Sequence, residues 1–309
     1  MNQLLNVTHL KAHWYKLLPQ EHLRVKGRIL SVYIMLAVLL GALLHATWNA
    51  FVRSSTDKFL DAVLISGAAG VLTACWLPFL AFPASASWPY LAGSVVIHLG
   101  YFVLVALAYQ NAELSFAYPV MRGTAPALAA IGAVFLLNES PHLLGWIGVF
   151  LISFGVVILS VDSWRLGSLR PSSLLFALSN AVVIVTYTLV DGQGVRLSGN
   201  AFSYTGWMFS FITVIIFVTA FVVRRGKVLS YLKPNLARGA VGGVCVVGSY
   251  GIALWAMTRA PIAVVAALRE TSVIFAMLIA VCFLREPLNR LRLLSILMVT
   301  AGAVVIKIS

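Results

Sequence analysis

The sequence predicts an all-α integral membrane protein of ten transmembrane helices, built from two inverted five-helix repeats. Three observations predict it. The 309 residues are 61% hydrophobic and only 10% charged, with a mean hydropathy of +0.96, whereas soluble domains run near ~45–50% apolar and ~25% charged. Charge-free runs of the ~20 residues a helix needs to cross the hydrocarbon core recur along the whole chain. Finally, the chain matches itself at an offset of 147 residues. A soluble enzyme, a secreted module and a disordered regulator are disfavoured. The net charge of +13 does not point to nucleic acid, because no polar stretch interleaves basic with aromatic residues. In a membrane protein, such an excess belongs to cytoplasmic loops and anionic lipid.

Residues 1–30 form a basic tail with Lys11, Lys16, Arg24, Lys26 and Arg28, and with Leu10, Trp14, Leu17 and Leu18 at helical spacing. They lack the features of a signal peptide. An interfacial helix, an unstructured tail and a start at Met35 all fit. The spans follow near 31–52, 60–82, 89–110, 114–137, 142–161, 173–193, 202–223, 237–257, 261–284 and 289–308. Polar or proline-bearing joints separate them, among them Asn138-Glu139-Ser140-Pro141 and Arg285-Glu286-Pro287. Gly239 with Gly243, and Gly145 with Gly148, predict faces where helices pack closely. Cys75, Cys245 and Cys282 stand singly in apolar sequence, fit no disulfide or zinc frame, and are expected to be small buried hydrophobes.

The 147-residue offset aligns spans three to five with spans eight to ten. It sets Arg122 on Arg269, Thr124 on Thr271, Ala129 on Ala276, Leu137 on Leu284, Glu139 on Glu286 and Gly155 on Gly302. Alanine and leucine matches are cheap in apolar sequence; paired arginines and paired loop glutamates are not. Repeats are expected over 31–161 and 172–309. Five helices per repeat is an odd number, so the second copy enters the membrane from the opposite side. Many secondary transporters are built this way, opening alternately around a site between the halves.

The segments "ALLHATWNAFVRSS", "DGQGVR", "FLLNES" and "FLREP" resemble the EamA-type carriers of the drug/metabolite transporter superfamily, over roughly residues 31–309. The resemblance implies a multi-pass carrier of small metabolites in the cytoplasmic (inner) membrane of a bacterium. Such carriers are frequently exporters of amino acids or related compounds, working without a cofactor. Its partners would be a small-molecule substrate, a coupling proton or ion, and the bilayer; a monomer is plausible. Small multidrug members of the superfamily carry a proton-binding Glu in the first span. The matching position here is His45, which argues against carboxylate coupling at that place, although an imidazole also exchanges a proton near neutral pH.

A charge at membrane depth costs several kcal/mol on most estimates, so intramembrane ionisable groups are functional candidates. Arg122 and Arg269, as repeat mates, are expected to face one central cavity and attract a carboxylate or phosphate. Alternatively, they tie helices together or snorkel. Glu270 matches Gly123 and is a candidate coupling acid; neighbouring positions point about 100° apart on a helix, so it need not pair with Arg269. His45, Trp48 and Asn49 share one face of the first span. His98 with Tyr101, Tyr118 with Arg122, and Tyr187 with Asp191 repeat that geometry, while Tyr250 and Trp255 read as weaker candidates. Glu139 and Glu286 are expected to serve structure, each near the N-terminus of the following helix.

Enzyme readings find little support. Asp191-Gly192-Gln193-Gly194-Val195-Arg196 approaches the opening motif of membrane CDP-alcohol phosphotransferases, but residues 197–269 contain no Asp or Glu to hold metal. HExxH, GxSxG and GxxxxGK[ST] are absent. A lipid-linked-sugar flippase of the same superfamily is the closer rival. Odd-numbered loops hold twelve Lys and Arg, and even-numbered loops with the C-terminus hold three. The positive-inside rule therefore places the odd loops in the cytoplasm, although the basic tail argues the reverse.

Overall fold

The computed structural model describes residues 30–111, 114–166, 171–224, 226–284 and 289–309. Within these it describes every side chain except those at 53, 102–111, 114–119, 160–166, 171–174, 176, 283 and 284. The basic tail up to residue 29, Glu286 and the side chain of Tyr118 lie outside what is described.

Among the described residues the regular elements are helices, and the long ones are apolar. The α-helices are α1 (Val32–Arg53), α2 (Lys58–Trp76), α3 (Trp88–Asn111), α4 (Leu114–Leu137), α5 (Leu143–Leu166), α6 (Pro171–Leu197), α7 (Ala201–Val223), α8 (Lys227–Met257), α9 (Ile262–Arg269), α10 (Ser272–Leu284) and α11 (Arg290–Ile308). Seven segments among the described residues are long and apolar enough to cross a membrane, one of them running through α9 and α10. The chain is an integral multi-pass membrane protein.

The polar joints start the helices. Asp57 accepts from the backbone N–H of Leu60 at 3.1 Å, Asn200 from those of Phe202 and Ser203, and Asn289 from that of Arg292 at 2.8 Å. Each satisfies donors that a helix's first turn leaves open.

Three expectations need correction. The eighth span begins at Lys227, ten residues before its apolar run, so Lys227, Lys233 and Arg238 ride on a helix and not in a loop. An apolarity count cannot see a helix that extends into the interface. The ninth span is not continuous, since it breaks between Arg269 and Ser272. Of the three cysteines only Cys245 is buried; Cys75 and Cys282 sit on outward helix faces, which in a membrane protein are also apolar.

Backbones approach most closely at glycines. A Cβ on Gly243 of α8 would stand 2.9 Å from the backbone of α2 at Ala68 and Ala69. Where α5 crosses α11, a Cβ on either Gly148 or Gly302 would stand 2.8 Å from the other's carbonyl oxygen. Gly302→Val should therefore push these helices apart and cost at least ~1–3 kcal/mol, the usual range for overpacking. The readout is the thermal unfolding midpoint in detergent; an unchanged midpoint would mean the crossing is not tight.

Candidate functional site

The site is built around the break in the ninth span. Ile262–Arg269 forms a short buried helix. There the backbone tightens, with the N–H groups of Glu270, Thr271, Val273 and Ile274 each donating to the carbonyl three residues earlier, the 3₁₀ pattern that often marks a hinge. The Thr271 hydroxyl donates to Leu268 O at 2.7 Å. Its repeat mate Thr124 donates four residues back, to Val120 O, and α4 runs on unbroken.

The difference between Glu270 and Gly123 has a packing cause. A Cβ at Gly123 would meet Ser153 O and Val157 N of α5 at 2.9 Å, so α4 lies on α5 where no larger residue fits. At Glu270 the equivalent position faces a cavity between α4, α6 and α9, lined by Arg122, Arg269, Glu270, Tyr187, Pro126 and Thr188 among others. About 280 Å³ of space not filled by atoms lies there, open solvent included, and little of it is wide enough for more than a water molecule.

Within it, Arg122 Nε lies 3.0 Å from Glu270 Oε2, both side chains being 7% exposed. This contact bridges α4 and the break. Arg269 points differently, its guanidinium carbon standing 5.1 Å from the centroid of the Tyr250 ring, in cation–π range. The two arginines thus occupy one cavity in unlike settings.

An aromatic chain leads away from Arg269. Tyr250 lies 6.0 Å edge-on from His98, which stacks on Tyr187 at 4.6 Å, and Tyr101 meets Tyr187 edge-on at 6.1 Å. His98 Nδ1 is 2.9 Å from Ser94 O on its own helix. Asp191, fully buried, holds the end nearest Arg269, accepting from Tyr204 at 3.0 Å and from Tyr250. The near-match to a metal-binding motif therefore places its aspartate between two phenols.

The other candidates lie further off. His45 and Trp48 contact edge-to-face at 5.2 Å, and His45 lies within Coulombic reach of both arginines. Asn49 spends its amide on His45 O of the preceding turn, at 2.8 Å. Tyr250, ranked low because aromatics in spans are usually packing, is central. Its signal is the polar patch Gly248-Ser249-Tyr250-Gly251 inside an apolar span.

Ion pairs also stand at the two ends of the bundle. Glu139 pairs with Arg196 and accepts from the Ile262 N–H at 3.2 Å. Arg196 donates further to Met257 O at 2.7 Å and to Ala260 O at 3.0 Å. Glu139 therefore caps α9 and not, as expected, the helix that follows it, because α9 starts beside it in space. At the other end Arg238 pairs with the buried Asp61 and donates to Phe51 O and Ser54 Oγ. Among the described residues, no group of three or more His, Cys, Asp or Glu could hold a metal.

Comparison with known proteins places this geometry. The EamA-like transporter family matches residues 171–308. An uncharacterized protein of Sinorhizobium fredii, y4nH, is 35% identical over 72 residues, which is 23% of this chain, and the match spans 62% of that protein's length. A solved crystal structure of another protein superposes with a TM-score of 0.70 at 16% identity, covering 88% of this chain and 96% of that one. That likeness is one of fold.

Proposed function

We propose, from the match of residues 171–308 to the EamA-like transporter family, that the chain is a secondary transporter exporting small metabolites that carry an anionic group. Two five-helix repeats, 31–161 and 172–309, would work by alternating access in a bacterial inner membrane. Reciprocal packing supports the inverted pair. The first helix of each half packs on the third of the other, as α1 on α8 and α6 on α3, while second meets second in α2 with α7 and fifth meets fifth in α5 with α11.

The observation that carries the reading is the convergence of Arg122, Arg269 and Glu270 on one cavity. A lone buried charge is costly in a membrane, and two cations against one carboxylate leave room for one more anion. Arg269 is the arginine whose loss should leave the fold intact, since a ring contact of about 0.5–2 kcal/mol is what it gives up.

The test is an uptake and efflux screen in membrane vesicles over amino acids, nucleosides and toxic amines, with and without a proton gradient. Transport of a carboxylate-bearing substrate is expected, and Arg269→Ala should reduce it about tenfold or more at unchanged protein level, as expected for loss of a charge-assisted contact. Full transport by Arg269→Ala, or a preference for cationic amines, would sink the anion-site reading. The same screen with lipid-linked sugars tests the flippase alternative.

A further inference from the structure

We propose that Tyr250 and Asp191 are the positioning residues of the anion site: the Asp191 carboxylate fixes the Tyr250 ring and enriches it in electrons, and the ring holds the Arg269 guanidinium in place for a substrate carboxylate. This deepens, and rests on, the reading of the cavity as an anion site. Three observations carry it. The first is what Arg269 rests on. Its guanidinium carbon stands 5.1 Å from the centroid of the Tyr250 ring, while no carboxylate of the described residues lies within ion-pair distance of it. A ring attracts the charge but supplies no acceptor oxygen, and a ligand carboxylate supplies what the ring does not.

The second observation is how the ring is anchored. The Tyr250 hydroxyl donates to Asp191 Oδ2, and Tyr204 donates to the other oxygen of the same carboxylate at 3.0 Å. Asp191 on α6 is thereby pinned from α7 and α8 at once, in a fully buried place. His98 and Phe209 stand edge-on to the Tyr250 ring at 6.0 and 6.1 Å and close its remaining freedom. A phenol that donates to a carboxylate gains electron density, because linked hydrogen bonds polarise one another, and a cation on the ring face is attracted by that density.

The third observation is that the arrangement serves one arginine and acts from behind it. The 147-residue offset sets Tyr250 on Val103, so the first repeat has no phenol at that place, and Arg122 faces Glu270 instead. The cavity wall includes Arg269 but neither Tyr250 nor Asp191, so their effect on a ligand passes through Arg269. That gives an order of expected effects. Removing the ring frees the guanidinium, whereas removing only the hydroxyl or only the carboxylate charge leaves the ring in place but loosens and depletes it.

The experiment uses the full-length protein in detergent, with acetate, lactate and benzoate as probes and affinity read by thermal shift. Arg269→Ala is expected to weaken binding about tenfold, as for loss of a charge-assisted contact. Tyr250→Leu should weaken it about two- to thirtyfold, the factor an ordinary cation–π contact represents. Tyr250→Phe and Asp191→Asn should weaken it less than Tyr250→Leu and to a similar extent, since both cut the same link. Added to Arg269→Ala, either should change affinity by no more than about twofold, because residues that act through one another are not additive. A loss of equal size with and without Arg269 would mean that the pair only shapes the fold, and full affinity in both Tyr250→Phe and Asp191→Asn would mean that the ring needs no anchor. Either result overturns the proposal while leaving the anion site standing. Wild-type affinity in Arg269→Ala, or binding of none of the three probes to wild-type protein, would overturn both. Should Asp191→Asn fail to fold, Tyr250→Phe, which leaves Asp191 its bond from Tyr204, carries the test alone.

Discussion

Arg122→Ala is expected to abolish transport of a carboxylate-bearing substrate and to lower stability at the same time. The two effects share one cause. Arg122 is 6% exposed and faces the 5% exposed Glu270, so its removal takes away the anion's partner and strands a buried carboxylate. Breaking a buried pair from one side typically costs about 3–5 kcal/mol, and loss of the charge-assisted contact should cost about a hundredfold in transport, since each such bond is worth ~1.5–3 kcal/mol. Reading the arginines as repeat mates predicts equal phenotypes with expression intact; the structure makes them unequal. The check is a pair of variants followed by vesicle transport and detergent melting. Arg122→Ala/Glu270→Gln should recover most of the lost stability but none of the transport. A double variant no more stable than the single would mean that the ion pair is not what holds α4 to the break.

The second large effect is expected at one end of the bundle. Arg196 satisfies Glu139, Met257 O and Ala260 O together, and Glu139 in turn caps α9 at Ile262. Arg196→Ala leaves two carbonyls without this donor and a carboxylate without its ion-pair partner in a place about one-tenth exposed. A loss of about 2–4 kcal/mol follows from the cost of unpaired buried polar groups, reduced for partial solvent access. Arg196→Lys keeps the charge but cannot reach three acceptors as a planar fork does, so it should fall between. Thermal unfolding of the three proteins in detergent measures this. If Arg196→Ala melts within a degree of wild type, the cluster is a surface contact and not a fastening of α6 to α8 and α9.

Much of the fold was legible because lipid imposes a one-dimensional rule. A helix must be apolar for about 20 residues, and the span limits near Val32, Leu114, Ala201 and Arg290 fall within a residue or two of the helix starts. The rule is silent where a helix leaves the hydrocarbon, hence the missed first turns of α8. It is equally silent where a helix breaks inside it, because Arg269, Glu270 and Thr271 interrupt hydrogen bonding without interrupting apolarity for long. At the site, Arg122, Arg269, Glu270 and Tyr187 were legible as polar exceptions in spans, and they do line one cavity. What could not be read was direction. That Glu270 meets Arg122 across the fold, that Arg269 turns to a ring, that Asn49 turns back on its own helix and that Glu139 caps a distant helix all depend on tertiary proximity. Asp61 and Arg238, at the polar ends of their helices, gave no intramembrane signal at all.

The bridge between α4 and the broken span also sets a problem of timing during synthesis. Arg122 and Glu270 are 148 residues apart. At about 5–20 residues per second, the arginine emerges roughly 7–30 s before its carboxylate exists. Throughout that interval α4 stands without the contact that later ties it to the broken span. The packing of α4 is therefore completed only when α9 and the break that follows it arrive.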